Sequence, residues 1–261
     1  MTTPHATAYI DHLTRERRPP NTIAAARRVL RSLPDPDTAA REDVEAWWAT
    51  RAHLSPATRS NDLAILRTFY AWCRRWEHRD DDPTLRIDAP KVPRGLPRPM
   101  SRADLTRLLP TLPDDLRRAV CLGAYGGLRV SEAAALTWLD VDTENRRVRV
   151  LGKGGKTRLV GMSPLLLDEL LPDTGGNVVA AGGAPYTAGT LQRKVNRAIR
   201  AAGVDATFHQ LRHRFGTVAL AATGNLLAVS RAMGHASPAT TAIYAATSDA
   251  DLDVIADAVT R

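Results

Sequence analysis

The stretch RRVRVLGKGGKTRLVG, residues 146–161, decides the fold class of this chain. Before it, apolar residues recur at three- and four-residue spacing; here they alternate with polar ones on either side of Gly152-Lys-Gly-Gly155. Strand-period alternation around a glycine-rich turn predicts a β-hairpin with a lysine at its tip. A small sheet set among helices makes the expected class mainly α with a small β-sheet, α+β. The hairpin also carries Lys153 and Lys156, two of only four lysines in a chain with 36 basic residues. Lysine therefore stands here where the sequence otherwise writes arginine. A phosphate-binding P-loop would need a glycine at 150, which is Val150, and a helix rather than a strand after Thr157.

Upstream of the hairpin, helical periodicity predicts helices at about 4–17, 20–33, 38–53 and 56–78, the last opening on Ser55 and Pro56. Leu63, Leu66, Phe69, Tyr70 and Cys73 form its apolar stripe. HRDDDPTLRIDAPKVPRGLPRPMS, 78–101, follows, and its prolines forbid a continuous helix. The expected organisation is a helical domain over 1–80, a linker over 81–100 and a second domain over 101–261. Within the second, Ser101 to Asp104 reads as a capping box, and helices are expected at 113–127, 131–138, 164–171, 188–202, 209–222, 225–233 and 237–245, with a final amphipathic one at about 249–260. For 209–222 the expected core face is Phe215, Val218, Ala219 and Ala222.

Composition narrows the function classes. At 44% apolar and 25% charged residues, the chain has ordinary globular composition. No stretch approaches the roughly 20 apolar residues of a membrane span, and the N-terminus lacks an export signal, so a cytoplasmic, nucleoid-associated protein is expected. Cys73 and Cys121 match no metal or redox spacing. The net charge of +8 favours a polyanionic partner. Most of the excess lies beyond the first 90 residues, which carry 14 basic and 13 acidic side chains against 22 and 15 thereafter.

Three further motifs matter. GGLRVSE, 126–132, sets Arg129 between a glycine pair and a helix start, with Glu132 three residues on. HQLRHR, 209–214, groups His209, Arg212 and His213; the histidines have metal-like spacing, but Gln210 stands where a zinc protease needs glutamate. MGHASPATTAIY, 233–244, sets Tyr244 nine residues after His235. Singly, these read as a helix-start arginine, a basic helical turn and a core tyrosine.

In this order and spacing the four motifs resemble the tyrosine recombinases, or phage integrases, which carry G-L-R-x-S-E, G-K-G-x-K-x-R, H-x-L-R-H and L-G-H-x-S-x-x-T-T-x-x-Y. The resemblance covers about 101–245. It implies a catalytic set of Arg129, Lys153, His209, Arg212, His235 and the nucleophile Tyr244, with no cofactor, no metal and no small-molecule substrate. It implies a SAM-like core-binding domain and a catalytic domain clamped on double-stranded DNA core sites, and a tetramer joined through the C-terminal tail. Gln210, where the family often has Asp, and Met233, where it usually has Leu, depart from the pattern. The length before the linker suggests no extra arm-binding domain.

The residue types suit the implied chemistry. Permanently charged, forked arginines clamp the non-bridging oxygens of a phosphodiester as charge develops there. A leaving 5′ oxygen needs a proton that guanidinium does not release, whereas an ammonium among cations does. The expected function is strand cleavage and rejoining through a 3′-phosphotyrosyl intermediate in integration or excision of a mobile element. A Xer-like resolvase is the alternative, then a type IB topoisomerase or a catalytically silent DNA-binding relative.

Overall fold

A computed structural model of the protein describes residues 3–93, 98–152, 155–171 and 175–235. Contacts divide the chain into two compact units, Met1–Gly95 and Leu96–Arg261.

The first unit holds α1 (Pro4–Arg15), α2 (Pro20–Ser32), α3 (Arg41–Thr50) and α4 (Pro56–Arg75). Ser55 Oγ accepts from Thr58 N at the start of α4, and Pro56 occupies a position whose N–H has no intrahelical partner. The whole stripe from Leu63 to Cys73 is buried, packed with Tyr9, Leu30 and Trp47. Three expected ends shift for a shared reason, local turns without glycine. Arg17 and Glu77 adopt left-handed backbone (φ 51° and 56°) and close α1 and α4 early. The turn 35–38, in which Asp37 N and Thr38 N donate to Asp35 Oδ1, delays α3.

Asp62, fully buried on α4, accepts from Arg28 Nη2 (2.6 Å) and Arg51 Nη1 (2.7 Å), tying α2 and the end of α3 to α4. The proline-rich stretch is anchored over its first part: Thr84 and Ile87 are buried, and Arg67 Nη2 donates to Ile87 O at 2.6 Å.

In the second unit, α5 (Arg102–Leu108) starts on the Ser101 cap, with Asp104 N donating to Ser101 Oγ at 3.0 Å. Helix α6 (Asp114–Gly126) is the axis of the core and is buried nearly all round from Leu116 to Gly126. It packs against α8 (Pro164–Glu169), α9 (Ala188–Ala201) and α10 (Phe208–Thr223). Then come α7 (Val130–Ala135) and a three-stranded antiparallel sheet of β1 (Val141–Asp142), β2 (Arg147–Leu151) and β3 (Thr157–Gly161), in that order. The hairpin register pairs Leu151 with Thr157 and Val148 with Val160. Its valines face the core, while Arg147, Arg149, Leu151 and Leu159 face solvent. Two short strands, β4 (Ala180–Ala181) and β5 (Ala184–Pro185), precede α9, and α11 (Leu226–Met233) ends the described chain.

The α+β class expected from the period change is the one observed. The core face of α10 is not the expected one: Val218 is 51% exposed, and the buried positions are Phe208, Leu211, Arg212 and Gly216. The helix is flanked by α6 and α11, so Phe215 and Ala219 serve a small cluster with Val229 and Met233 while another stripe meets α6. The helices expected at 237–245 and 249–260 lie outside the described residues. Among the described residues, no helix is long and apolar enough to cross a membrane.

Candidate active site

Arg129 is set by the turn that precedes it. Gly127 caps α6 at φ 64°, a left-handed conformation glycine adopts readily, and its Cα lies too close to the Phe215 ring for a side chain. The chain then runs extended through Arg129, the N-cap of α7. Glu132, three residues on, reaches back to accept from Arg129 N (2.8 Å) and from its Nη1 (2.9 Å). Arg129 and Glu132 of GGLRVSE therefore pair through both backbone and side chain. Arg129 nonetheless remains 40% exposed over its side chain, leaving donors for a ligand.

Glu132 is itself buried, and its second partner comes from the hairpin. Arg158 on β3 grips it with both Nη atoms, at 2.9 and 2.8 Å, and gives Nε to Ala232 O at 2.8 Å. Hydrogen bonds from Arg158 and Arg129 hold the Glu132 carboxyl below the usual range despite the opposing effect of burial, the largest single influence. Arg212, 3% exposed on α10, donates to Gly127 O and, at 2.5 Å, to Met233 O; its Nη1 stands 3.9 Å from Glu132. Arg129 also donates to Gly234 O at 3.0 Å. The carbonyls 232, 233 and 234, at the negative end of α11, thus receive guanidinium donors from α7, β3 and α10.

The histidines gather at the same place. The His209 and His213 rings meet edge to face at 4.3 Å. Gly234 caps α11 in left-handed conformation (φ 63°) and turns the chain into His235. Burial, then Arg212 and Arg129, depress the His209 pKa. The His235 imidazole is lowered to about 4 by burial and then by Arg212, Arg129, Arg158 and His209. His213 is lowered to about 4 by burial, His209 and Arg212. All three are neutral at pH 7, able to accept a proton or a hydrogen bond. Gln210 Oε1 accepts from Thr207 N at 2.5 Å, so the departure at 210 caps the helix that bears His209.

The structure therefore brings together Arg129, His209, Arg212 and His235, four of the six expected residues; Lys153 and Tyr244 lie outside the described residues. A cleft of about 730 Å³ opens over Arg129, with Ser131, Lys156, Thr157 and His235 along its walls. Arg158 and the linking role of Glu132 escaped the sequence reading. Their signal was present: Arg158 shares the inward face of β3 with Val160, and an arginine on a core face needs a buried anion. Among the described residues, no group of three His, Cys, Asp or Glu is placed to hold a metal ion.

The family model described as "Phage integrase family" matches residues 100–251, more than half the chain. The chain belongs to the phage integrase family. This phage integrase family member is 37% identical over 225 residues to the tyrosine recombinase XerD of Xanthomonas axonopodis pv. citri, an alignment covering 76% of this chain and 74% of that protein. It is 35% identical over 209 residues to the tyrosine recombinase XerC of Xanthomonas campestris pv. campestris, covering 74% of the chain but 65% of that relative's length. The chain thus spans just under two thirds of that relative. The integrase of the Tn1549 transposon, solved with transposon right end DNA, shares the fold at a TM-score of 0.76 and 19% identity, with all of both chains covered.

Proposed function

We propose that this family member is a site-specific DNA recombinase that cleaves and rejoins strands through a 3′-phosphotyrosyl intermediate formed on Tyr244. The observation that carries the reading is the convergence, through Glu132 and the end of α11, of Arg129, Arg212 and His235, the last of them nine residues before Tyr244 in the sequence.

In this reading the scissile phosphate sits over Arg129 and Arg212, whose fixed charges offset the charge growing on its non-bridging oxygens. The Tyr244 oxygen attacks phosphorus, forming the ester to tyrosine and breaking the bond to the 5′ oxygen. A phenol with a usual pKa of about 10 is a weak nucleophile at neutral pH; neutral His209 and His235 are suited to accept its proton. Lys153, between β2 and β3 in the sequence, gives a proton to the departing 5′ oxygen. Rejoining reverses the steps with a new 5′ hydroxyl, and the ester conserves the bond energy. Lys156, on the cleft wall, contacts the DNA backbone.

The helical unit Met1–Gly95 is assigned core-site binding, and four protomers on two sites, linked through their C-terminal tails, exchange strands in the cytoplasm. Integration or excision of a mobile element is the first role. Xer-like resolution of DNA multimers is the second, and the 37% identity to XerD supports it. The test is incubation with a pool of nicked duplexes carrying a randomised centre, followed by recovery of covalent protein–DNA adducts. An adduct mapped to Tyr244, lost in Tyr244→Phe and enriched for one sequence, is expected. An adduct without sequence preference, with relaxation of plasmids lacking a core site, points to a topoisomerase; no adduct overturns the reading.

A further inference from the structure

We propose that Arg158 is a positioning residue for strand cleavage, neutralising Glu132 so that Arg129 keeps its charge for the scissile phosphate, and fixing the chain at His235 to the lysine-bearing hairpin. The proposal rests on the recombinase reading above.

Arg158 lines the cleft over Arg129, and each of its three side-chain nitrogens is engaged by a protein acceptor. Its Nε, Nη1 and Nη2 are given to Ala232 O and the two Glu132 oxygens, and its side chain is 12% exposed. It lies two residues beyond Lys156 and five beyond Lys153 on the same hairpin. It also fills the space beside Gly234: a Cβ there would stand 2.9 Å from its Nη1 and 3.1 Å from its Cδ. One side chain of β3, the strand that follows Lys156, therefore binds the carboxylate beside Arg129 and the carbonyl of Ala232, and packs beside Gly234, the residue before His235.

The electrostatic balance gives the reason for a third arginine. Glu132 holds the Arg129 backbone and guanidinium, yet an unanswered carboxylate there would offset the charge that Arg129 offers as negative charge grows on the phosphate in the transition state. A bidentate guanidinium answers that charge and adds directionality that an ammonium lacks. Without Arg158, Glu132 would draw on the remaining donors of Arg129 and Arg212, and the end of α11 would lose its contact with β3. The low His235 pKa, to which Arg158 contributes, agrees with this geometry.

The test compares Arg158→Gln and Arg158→Lys with wild type on the sequence recovered from the nicked-duplex pool. In single turnover, Arg158→Gln is expected to form adduct about 100-fold more slowly, the scale of a misplacement of roughly 1 Å at a reacting centre. Arg158→Lys should recover part of that loss. DNA affinity, measured by gel shift in a Tyr244→Phe background, should be unchanged. Without DNA, NMR titration of the histidines, with His235→Gln used for assignment, should move the His235 midpoint upward in Arg158→Gln and less in Arg158→Lys. Should Arg158→Gln fail to fold, Arg158→Lys carries the comparison. Cleavage at the wild-type rate, or a loss matched by an equal loss of DNA affinity, overturns the proposal alone; a wild-type protein that never forms an adduct overturns the recombinase reading and this proposal with it.

Discussion

Arg212 donates to the carbonyl of Met233 at 2.5 Å, joining α10 to the last turn of α11 from a position only 3% exposed. The same guanidinium serves Gly127 O, so one buried side chain holds the helix starts and ends on which Arg129 and His235 depend.

Arg212→Gln should therefore act twice. Two buried carbonyls lose a charged donor, and stability should fall by about 3 kcal/mol, since a hydrogen bond to a charged group is worth roughly 1.5–3 kcal/mol. Urea denaturation measures that loss. Under the proposed recombinase reading, adduct formation should be abolished even where the variant is folded, because that reading gives Arg212 half of the clamp on the phosphate.

Asp62→Ala tests the first unit in isolation from catalysis. Removing the carboxylate leaves Arg51, whose side chain is 10% exposed, without its counter-charge beneath α4. The expected cost is about 3–5 kcal/mol, the penalty for breaking a buried pair from one side. A decrease in the urea midpoint at unchanged slope would record it.

Gly127→Ala and Gly182→Ala separate backbone strain from collision. Both glycines have positive φ, 64° and 57°, but an added Cβ meets the Phe215 ring at 2.5 Å in the first and nothing within 4 Å in the second. Gly182→Ala should cost about 1 kcal/mol of left-handed strain. Gly127→Ala should cost about 2 kcal/mol more, from forced repacking of Phe215. Paired melting curves give the difference.

Acid should destabilise the fold along a defined course. The folded His213 and His235 are lowered from 6.5 to about 4, so the unfolded chain binds more protons between those values. Their contribution is complete above about pH 6.5 and is lost as pH falls toward 4. Glu132, lowered from 4.5, adds a loss below that value. The melting temperature should drop through this range, and His213→Gln should remove part of the drop.

Much of this architecture was legible in the sequence because local rules agreed with the tertiary outcome. The Leu63–Cys73 stripe, the Ser55–Pro56 start and the hairpin at Gly152 all combine periodicity with the correct terminators. The reading failed where tertiary contacts decide. Arg17 and Glu77 end helices without a glycine to announce it, and α10 packs against α6, α9 and α11 instead of a single neighbour. At the site, Arg129, Arg212 and the histidines were recognisable as motif positions. The motifs alone did not convey that a carboxylate holds Arg129 and Arg158 and lies beside Arg212, because that depends on a strand crossing to a helix end.

Both sulfhydryls of the chain, Cys73 and Cys121, are buried, and burial pushes each up to about 12. They are protonated and shielded under ordinary labelling conditions, where the thiolate is the reactive species. A cysteine introduced at Leu159, 64% exposed on the hairpin, would then be the single target for a maleimide dye. The native thiols need not be removed first, so fluorescence from that strand can report the response to added duplex DNA in the otherwise unaltered protein.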